Sequence, residues 1–133
     1  MIIAKKIRLD SVAVARAGLL HDIGMAEMPS LLTMKELPPQ EQNLWKEHPT
    51  YGYYFALQKN IPRAIANCIQ CHHENWDGSG YPRGLHEDQI YELAMVTHIC
   101  DVYDALISKR SYKEAFSYQI SYHISKSMDQ SCS

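Results

Sequence analysis

The chain is predicted to be all-α, a compact helical bundle. Three observations predict this: apolar residues recur at three- and four-residue steps through most of the length, no two runs alternate as a strand pair would, and glycine and proline gather where helices would end. With 133 residues, 46% of them hydrophobic, the chain has material for one core and not for two. About five to six helices are expected, in a single domain over residues 1–133.

Asp10 or Ser11 can cap a first helix whose apolar positions are Val12, Ala15, Leu19 and Leu20, ending near Ile23-Gly24, where glycine permits a left-handed stop. That helix delivers His21 and Asp22 at its C-terminal end. Residues 29–39 read as a linker with a weak helical turn, and Pro39 suits the first turn of a helix reaching Glu47. His48-Pro49 ends that helix and starts another, with Tyr51, Tyr54, Phe55 and Leu57 as its apolar stripe up to the Asn60-Ile61-Pro62 turn. Ala64, Ile65, Cys68 and Ile69 mark the next helix, and Trp45, Tyr53, Tyr54 and Phe55 read as packing residues. After His73, the glycine, serine, proline and aspartate through Gly84 cannot sustain a helix and form an ordered loop about ten residues long. Residues 91–107 resume the helical pattern with Leu93, Val96, Cys100, Tyr103 and Ile107, and put Asp101 in mid-helix. A last, serine-weakened helix is expected over residues 118–128.

A formal charge of -2, from 13 Lys plus Arg against 15 Asp plus Glu, provides no basic field for duplex nucleic acid. No run of about 18 apolar residues is present, and the apolar start is too short for a secretory signal, so a soluble, cytoplasmic protein is expected. The four cysteines make no disulfide framework and are expected reduced. Cys68-Ile69-Gln70-Cys71-His72 matches the covalent haem attachment pattern; haem would need export and would take His72 from the other histidines, whereas Cys68 can simply face the core.

His21-Asp22, His72-His73 and Asp101 are imidazole and carboxylate donors of the kind that suit borderline divalent metals such as iron, manganese, zinc or nickel. A carboxylate can bridge two ions and an imidazole cannot, so a cluster is expected in place of a single structural ion. His86, His98 and His123 fit no motif and read as surface residues.

The segments Leu19-Leu20-His21-Asp22-Ile23-Gly24, His48-Pro49-Thr50-Tyr51-Gly52, His72-His73-Glu74 with Gly78-Ser79-Gly80-Tyr81-Pro82-Arg83-Gly84-Leu85, and Cys100-Asp101-Val102-Tyr103-Asp104-Ala105-Leu106 resemble the HD-GYP family in order and spacing. The resemblance runs from about Leu9 to about Phe116 and rests most on the long middle motif. It implies an all-helical hydrolase that cuts cyclic di-GMP to linear pGpG or GMP with two divalent metal ions, iron or manganese first, with zinc, nickel or magnesium as alternatives. By that resemblance His21, Asp22 and Asp101 hold one metal, His48, His72 and His73 hold the second, and Asp22 bridges. Two ions about 4 Å apart lower the pKa of water and neutralise phosphodiester charge. Asp22 and Asp104 are the implied catalytic carboxylates, and Arg110, Lys113, Arg83 and Tyr81 the implied substrate contacts.

Two positions depart from the family pattern. Met25 stands where a lysine is usual, and the 20 residues ahead of His21 hold no histidine or glutamate that could serve as an upstream ligand. The resemblance therefore implies a piece of a longer protein, lacking the first helices of its domain and joined to a regulatory domain. GGDEF-type diguanylate cyclases are the implied partners, through the Gly80-Tyr81-Pro82 loop. An impaired relative that binds without cutting, or another nucleotide phosphohydrolase of the HD superfamily, are the alternative functions.

Overall fold

A computed structural model describes residues 8–107. Arg110, Lys113, His123, Cys132 and the helix expected over residues 118–128 lie outside the described residues. The expected all-α class holds: α1 is Ser11–Leu20, α2 Pro39–Trp45, α3 His48–Gln58, α4 Arg63–Cys71 and α5 Glu92–Ile107, with 3-10 turns at Ile23–Glu27, Leu31–Thr33 and Glu87–Gln89. Among the described residues, β pairing is confined to one isolated bridge, Asp77 to His86.

α4 is the centre of the bundle, because α1, α3 and α5 all pack on it. Its sequence explains why: Ile65, Ala66, Cys68, Ile69 and Cys71 are all buried. Burying a side chain such as Ile69, fully enclosed here, stabilises by roughly 1.5–3 kcal/mol. The helix also ends at the functional positions, since His72 is its C-cap and His73 follows.

Several expected stripes are rotated. In α1 the inward face is Ala13, Val14, Ala17 and Leu20, whereas Val12, Ala15 and Leu19 are exposed. In α3 the buried residues are the small ones, Gly52 and Ala56, together with His48 and Pro49, and Tyr51 and Tyr54 face outward. Small residues let α3 approach α4 closely, which the hydrophobic pattern alone does not reveal. Ala64 of α4 and Cys100, Tyr103 and Ile107 of α5 are likewise exposed, and α5 buries Leu93, Ala94, Val96, Thr97 and Val102 instead.

The start of α1 follows its sequence, with the Asp10 carboxylate accepting from the Val12 N–H at 3.0 Å. Its end differs from expectation. Gly24 is not in the left-handed region and belongs to the Ile23–Glu27 turn, where an added Cβ would collide with the His48 carbonyl oxygen. Glycine is needed there for close approach to α3, the contact that carries Asp22 toward His48.

The core reading of Cys68, preferred over haem attachment, holds. Cys68 and Cys71 are enclosed in the core, and the Cys68 thiol donates to Thr97 Oγ1 at 3.3 Å.

Candidate metal centre

Three segment ends meet at one point. The end of α1 brings His21 and Asp22, the start of α3 brings His48, and the end of α4 brings His72 and His73; α5 adds Asp101 from its middle. The donor atoms form two groups, Asp22 with His48, His72 and His73, and His21 with Asp22 and Asp101, each within 4.8 Å. Asp22 belongs to both. Its Oδ2 is 3.1 Å from His21 Nε2, and its Oδ1 is 3.3 Å from the Nε2 atoms of both His48 and His72.

The same local device orients three of the histidines. Nδ1 of His21 donates to the Gly18 carbonyl, His48 to Trp45 and His72 to Ile69, each at 2.7 Å and each three residues back. A carbonyl only accepts, so Nδ1 carries a proton in each ring and Nε2 is the atom turned toward the cluster, where it offers a lone pair whenever the ring is neutral.

Ring nitrogens and carboxylate oxygens therefore converge on one point. The Nε2 atoms of His48 and His72 stand 3.4 Å apart. His21 Nε2, Asp22 Oδ1 and His73 Nε2 are buried without a hydrogen-bond partner. Buried polar atoms without a hydrogen-bond partner are costly, and a cation among them can take these atoms as donors at once. Mixed imidazole and carboxylate donors fit a divalent transition metal.

The electrostatics follow the same logic. Burial opposes charge on His21, but the Asp101 and Asp22 carboxylates outweigh it and push its pKa up to about 10. Burial would raise Asp22, yet contacts from His21, His48 and His72 hold its carboxyl far below the usual range. His73 is held neutral by burial and by His72 and His48. Without metal, His21 and Asp22 act as an ion pair; with metal, the same atoms are donors.

A family profile described as HD domain matches residues 3–131. This chain belongs to the HD domain family. Its place in the HD-GYP group agrees with its relatives. It is 40% identical over 101 residues to a Thermotoga maritima protein named cyclic di-GMP phosphodiesterase, covering 73% of this chain and 27% of that one. It is 39% identical over 104 residues to the Xanthomonas campestris cyclic di-GMP phosphodiesterase response regulator RpfG, covering 75% and 28%. A Vibrio cholerae protein named 3'3'-cGAMP-specific phosphodiesterase 2 is 36% identical over 105 residues, covering 76% and 20%. The chain spans about a quarter of the length of the curated relatives it matches.

Around the donors, this HD-GYP domain places the remaining candidates unevenly. Tyr81 stacks on His73, ring centroids 4.8 Å apart and planes 20° from parallel. Burial, then the Asp22 and Asp101 carboxylates, raise its hydroxyl pKa, so it keeps its proton and stands in the site as a neutral hydroxyl able to donate a hydrogen bond. Packing of Tyr81 is therefore on the donor cluster. Asp104 lies one turn beyond Asp101 and is exposed. Arg83 offers its backbone N–H to Glu74, and its guanidinium acts electrostatically on the Cys71 thiol. Arg110 and Lys113 are outside the described residues.

Three supporting residues escape the sequence reading. Glu74, buried at 3% exposure, accepts the N–H groups of Arg83 at 2.7 Å and Leu85 at 2.9 Å, closing the loop that carries Tyr81. His98 is not a surface residue: its Nδ1 donates to the His72 carbonyl at 2.7 Å. The signal was its place one turn before Asp101, on the same helix face. His86 locks the other end of the loop, with its backbone N–H on Gln89 Oε1 and its ring where a side chain on Gly78 would stand. Gly78, at φ +78°, is thus required twice over.

Proposed function

We propose that this domain is a metal-dependent phosphodiesterase that hydrolyses cyclic di-GMP in second-messenger signalling. The observation that carries the reading is the Asp22 carboxylate, which faces His21 with one oxygen and His48 and His72 with the other. Two such donor sets sharing one carboxylate suit a pair of divalent ions, iron or manganese, with zinc, nickel or magnesium as alternatives. His21, Asp22 and Asp101 would hold one ion and Asp22, His48, His72 and His73 the other. When bound, such ions activate water at neutral pH and offset the charge that develops on a phosphodiester.

The chain's own residues do the remaining work. The Nδ1 anchors keep His21, His48 and His72 from turning, so the donor geometry is set before substrate arrives. Tyr81 donates a hydrogen bond from its hydroxyl to a substrate oxygen, Asp104 orients water or a ligand, and Arg110, Lys113 and Arg83 contact phosphate. The names of the Thermotoga and Xanthomonas relatives support cyclic di-GMP as substrate, and the Vibrio relative makes 3'3'-cGAMP the competing one. In the whole protein we propose a cytoplasmic enzyme coupled to a regulatory domain and to GGDEF-type cyclases.

Wild-type protein reconstituted with iron(II) or manganese(II) is expected to convert cyclic di-GMP to pGpG or GMP. Asp22→Asn is expected to lose on the order of 100-fold or more in kcat together with bound metal, because both donor sets share that residue. Activity persisting in Asp22→Asn would refute the shared-carboxylate account. Met25, which carries no charge, favours a second reading, a module that binds the dinucleotide without cutting it. Metal-loaded protein that binds cyclic di-GMP and never turns it over would select that reading.

A further inference from the structure

We propose that Lys46 is a substrate-binding residue of this site, holding the phosphodiester of the cyclic dinucleotide that lies outside the donor cluster. The inference rests on the phosphodiesterase reading above and extends it. The Lys46 ammonium lies over the Tyr81 ring, 5.7 Å from its centroid, and Tyr81 in turn stacks on the candidate ligand His73. A positive charge thus stands one aromatic ring away from the donors.

The two ends of this side chain are held differently. Its backbone caps α2, with its N–H on the Gln42 carbonyl at 3.2 Å and the next N–H, from Glu47, on the Leu44 carbonyl at 3.0 Å. The preceding residue, Trp45, accepts from His48 Nδ1 at 2.7 Å and packs edge-on to that ring at 5.7 Å. The base of Lys46 is therefore fixed to the same corner that seats His48, while the residue itself is exposed. A lysine is a point charge on a flexible four-carbon stem, so the tip can move while the base cannot. An exposed cation–π contact is weaker than a charge-assisted hydrogen bond to a phosphate oxygen, and the ammonium gains by exchanging one for the other.

Charge balance gives the reason for such a residue. A cyclic dinucleotide carries two phosphodiester anions, and the cluster contributes the carboxylates of Asp22 and Asp101. Cations held among the donors offset the phosphate being cut. The second anion, further out, needs a basic group at the rim, and Lys46 is a basic side chain one stacked ring, Tyr81, away from His73.

The test is equilibrium binding of a hydrolysis-resistant phosphorothioate analogue of cyclic di-GMP to the manganese-loaded chain, with metal content measured on the same samples. Lys46→Met is expected to weaken binding about tenfold and to flatten its salt dependence, with metal content at the wild-type level. On cyclic di-GMP itself it is expected to raise KM with little change in kcat. Lys46→Arg is expected to recover most of the affinity. Equal affinity in wild type and Lys46→Met overturns the proposal and leaves the phosphodiesterase reading standing. Loss of manganese from Lys46→Met also overturns it, because the residue would then be a support of His48. Wild-type protein that holds manganese but does not bind the analogue overturns both.

Discussion

At the scale of single residues, the site is built from short local bonds that aim side chains at a distant point. Each of His21, His48 and His72 is turned by a carbonyl three residues behind it. Such i to i−3 bonds need only a helix end, so they form wherever a histidine follows the last turn. The identities of these donors were legible in the sequence because imidazole and carboxylate have few other reasons to fall in that order. Glu74 was not legible as a support, since a lone glutamate in a glycine-rich loop reads as a solvated surface charge. The structure buries it against two N–H donors. Glu74→Gln replaces one acceptor oxygen with a donor facing an N–H, and is expected to cost about 1–3 kcal/mol. Urea denaturation of the metal-free protein checks this, and an unshifted midpoint would count against the role assigned to Glu74.

At the scale of elements, the decisive contact is between the turn Ile23–Glu27 and α3. Gly24 lies against the His48 carbonyl, so the chain segment that carries Asp22 is pressed onto the helix that starts with His48. Gly24→Ala is expected to push these two elements apart, lowering stability by about 1–3 kcal/mol and weakening metal uptake together. Thermal unfolding with and without manganese measures both effects. A stable Gly24→Ala protein that binds metal normally would show that the approach is dispensable. The helices themselves were visible from periodicity, yet their inward faces were partly misjudged. In α1 and α3 the buried residues are the small ones, Ala17, Gly52 and Ala56, and large side chains such as Leu19 and Tyr54 are left outside. Periodicity marks a stripe by size and greasiness, whereas close helix packing selects residues that are short.

At the scale of the whole molecule, α4 organises the core and the site at once, since Cys68, Ile69 and Cys71 sit beneath His72. Burial pushes the Cys68 and Cys71 thiols from an ordinary 9.0 up to about 11, with the Glu74 carboxylate adding to the shift at Cys71. The folded state disfavours the thiolates, so this contribution to stability is complete below about pH 9 and is lost as pH rises through 11. In a Cys100→Ser, Cys132→Ser variant, iodoacetamide is expected to leave Cys68 and Cys71 unmodified at pH 8, and the unfolding midpoint to fall between pH 9 and 11. Rapid alkylation at pH 8 would show that the thiols are open to solvent. The sequence by itself determined the helical class, the order of the donors and the family resemblance, because periodicity and residue chemistry are properties of the linear chain. Only the tertiary structure decided that Asp22 faces both donor groups, that His98 and Glu74 belong to the site, and that Lys46 stands over Tyr81. Those facts depend on how far apart helix ends come to rest, and that distance is set by the small residues packed between α1, α3 and α4.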